Sequence, residues 1–224
     1  MTWIAFDFDM TLADSAEAVI ESLYLAFKGN GLIIEREEIE NQFWKIKGRK
    51  VEDQIKHFLP KRDLISLSPI VHNAFMEHYS MVGLEKTKPF DGTVDLICFL
   101  RQYDFKIVIV SAKSIVNLDK SLRILHIETD KVLGNLYGFE KTQKIKEHSA
   151  LAYVGDLEVD VEIAQAADCL SIILNTQSEE IANWQKKPNY QFTTPRKFLS
   201  WLQQENNLKK LNSEPDNLRH LDRS

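Results

Sequence analysis

Four short apolar runs constrain the fold of this 224-residue chain more than any other feature of its sequence. They occupy residues 3–8, 105–110, 151–154 and 170–174. Each run is followed by polar residues and then by a helical pattern. Amphipathic segments lie between the runs, near residues 92–102, 115–125, 141–148 and 159–167. Continuous apolar strands are typical of parallel sheets covered by helices on both faces. The sequence therefore predicts a doubly wound α/β domain with a parallel sheet.

The interval between the first and second runs is too long for a loop and a single helix. It contains four segments with apolar residues three and four apart, at residues 15–27, 35–46, 51–58 and 69–81. None of them has the pattern of a strand. We therefore expect an all-helical insert over residues 14–85, after which the turn-forming segment Lys88-Pro89-Phe90-Asp91-Gly92 leads back to the sheet domain. That domain would comprise residues 1–13 and 86–203.

Composition narrows the possible partners and location. The net charge is −5 and the basic residues are spread along the chain, which argues against a nucleic-acid partner. No run of about 18 apolar residues and no signal peptide is present, so we expect a cytoplasmic protein without membrane association. Cys98 and Cys169 lie in apolar stretches and are expected to be reduced core thiols. Residues 204–224 are polar and charged, and we expect a disordered tail there.

Polar side chains follow the predicted strands at the edge where open α/β sheets bind ligands. The first run leads into Asp7 and Asp9, Ser111 follows the second, and Gly155-Asp156 follows the third. Because side chains alternate along a strand, Asp7 and Asp9 should face the same side. Two carboxylates would then line one pocket.

Such a pair suits phosphoryl transfer, in which one carboxylate attacks phosphorus and another group protonates the departing alkoxide and later activates water. We assign attack to Asp7 and proton transfer to Asp9. Repulsion between a carboxylate and a phosphate dianion requires a cation, and Mg²⁺ prefers oxygen ligands. Asp156 can supply a further carboxylate. Asp160, one helical turn later, can hold metal-bound waters or orient its neighbours.

The phosphoryl oxygens also need hydrogen-bond donors. Ser111, the adjacent backbone N–H of Ala112 and a lysine are the candidates. Lys141 and Lys144 both remain possible for that lysine, and we favour Lys141 because it would open the helix before the third strand. Taken singly, each of these residues has a plainer explanation as a helix cap, a turn hydroxyl or a solvated lysine.

Together these segments resemble the four motifs of the haloacid dehalogenase superfamily, in order and over about residues 1–203. The segments are Phe6-Asp7-Phe8-Asp9-Met10-Thr11-Leu12, Val110-Ser111-Ala112-Lys113, Lys141, and Val154-Gly155-Asp156 with Asp160. Asp14-Ser15 and the helical insert make the chain similar to the helical-cap subgroup, of which phosphoglycolate phosphatase is the best-known example. Met10 stands where the family often has glycine, and Lys141 lies closer to Asp156 than in many relatives.

The resemblance implies a Rossmann-like core and a mobile cap that closes over substrate. It implies Asp7 as nucleophile, Asp9 as acid and base, Ser111 and Lys141 on phosphate, and Mg²⁺ held by Asp7, the Asp9 backbone carbonyl and Asp156. The expected activity is hydrolysis of a small phosphorylated metabolite, such as phosphoglycolate, a sugar phosphate or a nucleotide, by a monomer or homodimer. A phosphomutase and a catalytically idle binding module are the alternatives.

Overall fold

A parallel sheet organises the larger part of the chain. The computed structural model describes residues 2–175 and 178–211. Its strands are β1 (Thr2–Phe6), β2 (Ala13–Asp14), β3 (Lys88–Pro89), β4 (Phe105–Val110), β5 (Lys131–Leu133), β6 (Ala152–Gly155), β7 (Leu170–Leu174) and β8 (Tyr190–Phe192). Six of them form one sheet in the order β5-β4-β1-β6-β7-β8, and every pair in it is parallel. The short strands β2 and β3 form a separate two-stranded sheet.

Within the described residues, five helices follow β2 in succession, and from β3 onward each strand is followed by a helix. The helices are α1 (Ala16–Gly29), α2 (Arg36–Ile46), α3 (Val51–Phe58), α4 (Leu64–His78), α5 (Leu84–Lys86), α6 (Thr93–Gln102), α7 (Ile115–Ile124), α8 (Glu140–Glu147), α9 (Glu158–Ala166), α10 (Ser178–Ala182) and α11 (Pro195–Leu202). A single 3-10 turn, Lys61–Asp63, precedes α4, and a π-helical turn, Tyr79–Gly83, follows it. None of the described helices is long and apolar enough to cross a membrane.

The central strands are buried on both faces, as the continuous apolar runs predict. Along β1, Ile4 and Phe6 belong to one hydrophobic cluster and Ala5, between them, belongs to another. Along β4, Ile107 and Ile109 likewise lie in the first cluster. Since alternate side chains of one strand enter two separate cores, helices cover the sheet on both sides. The doubly wound α/β fold is confirmed.

The two outer strands were not predicted from the sequence. β5 and β8 are only three residues long and lie at opposite edges of the sheet, where one side of the strand has no neighbour. Both include an exposed polar residue, Lys131 and Gln191. Short edge strands of this kind lack the apolar run by which a buried strand is recognised.

The chain divides into two compact units, residues 1–13 with 89–224 and residues 14–88. We call the second unit the helical insert. Within it, α1 packs against α2 and α4, and α3 packs against α4. Its buried side chains include Leu23, Phe27, Ile39, Ile55 and Val71. The insert ends at Lys88, three residues later than the sequence boundary of residue 85.

The expected disordered tail is wrong for its first residues. Residues 207–211 are helical, and Leu211 is fully buried in the hydrophobic cluster of the sheet unit, against which Leu208 also packs. Helical structure therefore extends to residue 211. Leu208 and Leu211 are three residues apart, so both can pack against the core from one turn of helix. Residues 212–224 lie outside the described part of the chain.

The two cysteines have different environments. Cys169 is buried, as expected, whereas Cys98 is exposed. The apolar stretch around Cys98 is the helix α6, in which the neighbouring residue Ile97 faces the core. Successive side chains of a helix point about 100° apart, so Cys98 lies about 200° from the buried Leu96 and falls outside the face that Leu96 and Ile97 share.

Gly92 provides a test of the packing between α6 and α11. It has φ 84°, and a Cβ at this position would lie 2.6 Å from the backbone N and Cα of Arg196. Gly138 also has positive φ, at 50°, but open space around it. We predict that Gly138→Ala lowers the free energy of unfolding by about 1–2 kcal/mol, the cost of a left-handed backbone at alanine. Gly92→Ala should lower it by about 3 kcal/mol or more, because its Cβ would also overlap the backbone of Arg196. Urea unfolding measures both, and equal losses would contradict this packing.

Candidate active site

Three carboxylates meet at the carboxyl edge of the sheet. Asp7 directly follows β1, Asp156 directly follows the neighbouring strand β6, and Asp160 lies in the first turn of α9. One oxygen from each lies within 4.8 Å of the others. Asp156 and Asp160 are buried, and the Asp7 side chain is 13% exposed. The strand order thus gathers negative charge that is far apart in the sequence.

A buried lysine, Lys141, balances part of this charge. Lys141, on α8, places its Nζ 3.2 Å from Asp7 Oδ1 and 3.8 Å from Asp160 Oδ1, and its side chain is 7% exposed. Lys144 instead lies on the solvent side of the same helix and pairs with Glu147. Of the two candidate lysines, only Lys141 is part of the carboxylate cluster.

Burial and charge shift the ionisation of these groups. Burial raises the pKa of Asp7 from its ordinary value of 3.8 to about 6, although Lys141 opposes the shift and Asp160 adds to it. Burial alone would lower the pKa of Lys141, but the charges of Asp7 and Asp160 outweigh burial and raise it. The same burial, with Asp160 nearby, raises the pKa of the Tyr153 hydroxyl well above its usual range. Lys141 is therefore a permanent cation and Tyr153 a neutral hydroxyl.

Asp160 is fully engaged by the protein itself. Its Oδ2 accepts hydrogen bonds from the backbone N–H groups of Asp156 and Leu157, at 3.1 and 3.0 Å. Its Oδ1 accepts a hydrogen bond from the hydroxyl of Tyr153 at 3.1 Å, and that hydroxyl accepts one from Lys141 Nζ at 2.9 Å. Asp160 thus fixes the turn after β6 and supports the position of Lys141. A Cβ on Gly155 would lie 2.4 Å from the Asp160 carboxyl group, so this turn requires glycine.

The loop after β1 is held by side chains from two other strand ends. Asn175, which follows β7, donates through Nδ2 to the carbonyl oxygens of Met10 and Thr11, at 2.9 and 2.8 Å. The Thr11 hydroxyl donates to Asp156 Oδ1 at 3.1 Å, and Met10 has φ 62°. Asp9, in the same loop, has a side chain that is 33% exposed. The loop therefore presents Asp9 closer to solvent than the carboxylate cluster.

Ser111 follows β4, the neighbour of β1 on the other side from β6. Its side chain is buried, and its Oγ accepts a hydrogen bond from the backbone N–H of Lys113 at 3.3 Å. Ala112 lies between them in the same loop. Lys113 Nζ lies 2.8 Å from Asp9 Oδ1. The site thus contains two lysine–aspartate pairs, one for each aspartate of the first motif.

The oxygen donors of this cluster fit a Mg²⁺ ion. Among the described residues, Asp7 Oδ1 is a buried oxygen without a hydrogen-bond partner, despite its proximity to Lys141. Three carboxylates face one lysine, which leaves an excess of negative charge. Both oxygens of Asp160 accept hydrogen bonds from the protein, and Asp7 and Asp156, at the ends of β1 and β6, are the carboxylates that would hold a hard divalent cation.

Four residues of the site had no assigned role in the sequence analysis: Thr11, Lys113, Tyr153 and Asn175. Asn175 follows the fourth apolar run, so the same strand-end rule that selected Asp156 could have found it. Thr11 and Lys113 lie inside the quoted motifs. Tyr153 gave no signal, because a tyrosine within an apolar strand is usually a core residue.

A family model described as haloacid dehalogenase-like hydrolase matches residues 4–174. This range runs from β1 to the end of β7 and contains Asp7, Asp9, Ser111, Lys141, Asp156 and Asp160. The chain belongs to the haloacid dehalogenase-like hydrolase family.

Solved structures of the same fold span almost the whole of the described chain. A haloacid dehalogenase-like family hydrolase from Streptococcus pneumoniae is 19% identical, with a TM-score of 0.74, and the match covers 91% of this chain and 99% of that one. A predicted phosphatase from Clostridium acetobutylicum is 19% identical, with a TM-score of 0.73 and coverage of 89% and 96%. A protein described as a candidate phosphoglycolate phosphatase from Lactobacillus delbrueckii is 21% identical, with a TM-score of 0.71 and coverage of 89% and 97%. At these identities the likeness establishes the fold. A search among curated proteins finds no significant match.

The raised pKa of Asp7 predicts a pH-dependent stability. Its pKa is about 6 in the folded chain and 3.8 ordinarily. Between these two pH values the folded state therefore holds a proton that the unfolded chain has released. The resulting stabilisation is complete below about pH 3.8 and is lost as the pH rises through about 6. An asparagine cannot titrate, so the Asp7→Asn variant lacks this loss of stability. In EDTA, its free energy of unfolding minus that of the unmutated protein should therefore be larger at pH 7.5 than at pH 5. Urea unfolding at both pH values measures this, and a pH-independent difference would contradict the shift.

Removal of the Tyr153 hydroxyl should destabilise the fold. Tyr153→Phe deletes one acceptor for Lys141 and one donor to Asp160, all buried. We expect the free energy of unfolding to fall by about 1–3 kcal/mol, the cost of leaving a buried polar group unpaired. Tyr103→Phe, at an exposed tyrosine of the same unit, is the matched control and should change little. Similar values for the two variants in urea unfolding would contradict the network.

Proposed function

We propose that this protein is a Mg²⁺-dependent phosphatase that hydrolyses small phosphomonoesters through an aspartyl-phosphate on Asp7. The observation that carries the proposal is the position of the Asp7 carboxylate, at the end of β1, beside the Lys141 ammonium and within 4.8 Å of Asp156 and Asp160. The family membership of the chain supports the same reading.

In the first half of the reaction, an oxygen of Asp7 attacks phosphorus and the bond between phosphorus and the ester oxygen breaks. Asp9 donates a proton to the departing alkoxide, which leaves as an alcohol. The phosphoryl group is then bonded to Asp7 as an acyl phosphate. Asp9 suits this role because its side chain is more exposed than those of the cluster and so accessible to the ester oxygen.

In the second half, Asp9, now a carboxylate, removes a proton from a water molecule that attacks phosphorus. The bond between phosphorus and Asp7 breaks, inorganic phosphate leaves, and the Asp7 carboxylate is restored. The proton balance closes, since Asp9 regains from water the proton that it gave to the alcohol. Asp7 remains covalently modified only between the two halves.

The phosphoryl group is positioned by the strand ends around Asp7. The Ser111 hydroxyl and the Ala112 N–H donate from the loop after β4, and the Lys141 ammonium donates from α8. Mg²⁺, held by Asp7, Asp156 and the Asp9 carbonyl, would supply the positive charge that offsets a repulsion of about 4 kcal/mol between unit charges about 4 Å apart at an effective dielectric constant of about 20. Asp160 contributes by holding the Asp156 backbone in place.

The substrate class is part of the same proposal. Two of the similar structures are named as a phosphatase and a candidate phosphoglycolate phosphatase, which supports a small phosphorylated metabolite. Phosphoglycolate, sugar phosphates and nucleoside monophosphates form the natural panel of substrates, and a cytoplasmic location would suit all of them.

A phosphate-release assay over this panel and p-nitrophenyl phosphate, with Mg²⁺ or with EDTA, tests the proposal. We expect activity with Mg²⁺ and none with EDTA. Asp7→Asn should lower kcat/KM more than about 10³-fold, because the amide cannot form the acyl phosphate. Asp95→Asn, at an exposed aspartate that pairs with Arg196, is the control and should retain full activity.

Three results would contradict the proposal. Near-normal turnover by folded Asp7→Asn would remove Asp7 as nucleophile. Isomerisation of a hexose phosphate with little free phosphate would favour a phosphomutase. Failure of the unmutated protein to hydrolyse any ester in the panel would favour a binding module. Circular dichroism of each variant separates loss of activity from loss of fold.

A further inference from the structure

A second lysine–aspartate ion pair, between Lys113 and Asp9, lies beside the pair between Lys141 and Asp7. Lys113 Nζ lies 2.8 Å from Asp9 Oδ1, and the Lys113 side chain is 6% exposed against 33% for Asp9. The lysine is therefore the fixed and buried member of the pair. The aspartate is the member that reaches towards solvent.

The backbone and the ammonium of Lys113 are both held in place. Its N–H donates to Ser111 Oγ at 3.3 Å, and its carbonyl oxygen accepts a hydrogen bond from the Asn135 N–H at 2.9 Å. Its Nζ lies 5.3 Å from the centre of the Phe8 ring, and Phe8 is fully buried in the core. A cation over an aromatic face is attracted to it, so the rigid core fixes the ammonium.

We propose that Lys113 is a positioning residue that orients the Asp9 carboxyl group for proton transfer, an inference that rests on the proposed function. The ammonium holds Oδ1 and leaves Oδ2 to exchange the proton. As the bond between phosphorus and the ester oxygen breaks, the proton on Oδ2 passes to that oxygen. Water returns a proton to Oδ2 in the second half of the reaction.

The division of labour between the two lysines supports this role. Lys141 contacts Asp7 and Asp160, which places its charge at the nucleophile. Lys113 contacts the other catalytic aspartate and lies on a different element, the loop between β4 and α7. A free aspartate side chain samples several rotamers, whereas an ion pair to a buried lysine selects one. Proton transfer is sensitive to that choice, because misplacement of about 1 Å can cost about 100-fold in rate.

This role makes the effect of Lys113 depend on the leaving group. An alkoxide is a strong base and departs only when it is protonated, whereas the weakly basic p-nitrophenolate departs without an acid. Lys113→Met should lower kcat/KM about 100-fold for the alkyl ester hydrolysed fastest in the panel, and less than about fivefold for p-nitrophenyl phosphate. kcat/KM is the relevant constant because it reports the steps up to the first release of product.

Lys106→Met is the matched control. Lys106 Nζ lies 2.8 Å from Asp130 Oδ1, the same distance as in the Lys113 pair, in the same unit but on strand β4 and outside the site. We expect this variant to keep both activities. Lys113→Arg retains the charge, so it should keep the fold. Its kcat/KM should again fall more for the alkyl ester than for p-nitrophenyl phosphate, but both losses should be smaller than those of Lys113→Met.

A double-mutant cycle with Asp9→Asn gives a second measurement. If Lys113 acts through Asp9, Lys113→Met should lower the residual alkyl-ester activity of Asp9→Asn by less than about threefold. Equal losses for alkyl and aryl esters in the Lys113 variants, full additivity in the cycle, or an unmutated protein active only on the aryl ester would each overturn the positioning role. Inactivity of the unmutated protein on both esters would instead overturn the proposed function, and this inference with it.

Discussion

The contact between the buried Lys141 ammonium and the Asp7 carboxylate, 3.2 Å apart, is the interaction on which the rest of the site depends. Three carboxylates lie within 4.8 Å of one another, and such crowding in a nearly dry environment is tolerable only with a cation beside it. The hydroxyl of Tyr153 and the carboxylate of Asp160 hold that cation in place. Burial raises the pKa of Asp7, Lys141 opposes the shift and Asp160 adds to it, and a divalent cation would favour the ionised carboxylate.

The parallel sheet makes this arrangement rigid. β1 lies between β4 and β6, so the residues that follow these three strands converge on one edge without any long-range loop. Asp7, Ser111 and Asp156 are each the first residue after their strand. Asp9, for which we propose proton transfer, has a more exposed side chain than the residues of this centre, and a second lysine, Lys113, contacts it. The two aspartates for which we propose attack and proton transfer therefore differ in burial.

The sequence predicted the fold well where burial was complete. The four central strands were recognised as continuous apolar runs, because both of their faces are covered. The four long helices of the insert were recognised by apolar residues three and four apart, because each is amphipathic. The edge strands β5 and β8 left none, since three residues paired on one side need little apolar surface. Leu211 was missed for a related reason: one buried leucine in a polar segment has no period to reveal it.

The sequence by itself determined which residues end the strands, and so which carboxylates and hydroxyl could share a site. It favoured Lys141 but left Lys144 possible, three residues later on the same helix. The rotation of α8 against the sheet buries Lys141 and leaves Lys144 in solvent. The sequence could not find the partners of Tyr153, Asn175 and Lys113, since a hydrogen bond across 145 residues, such as that from Thr11 to Asp156, depends on distances that exist only after the strands have paired. Which residue follows each strand can be predicted from the sequence, because it depends only on local residue order. The contacts that shift the pKa values and orient these side chains depend on how the strands and helices pack.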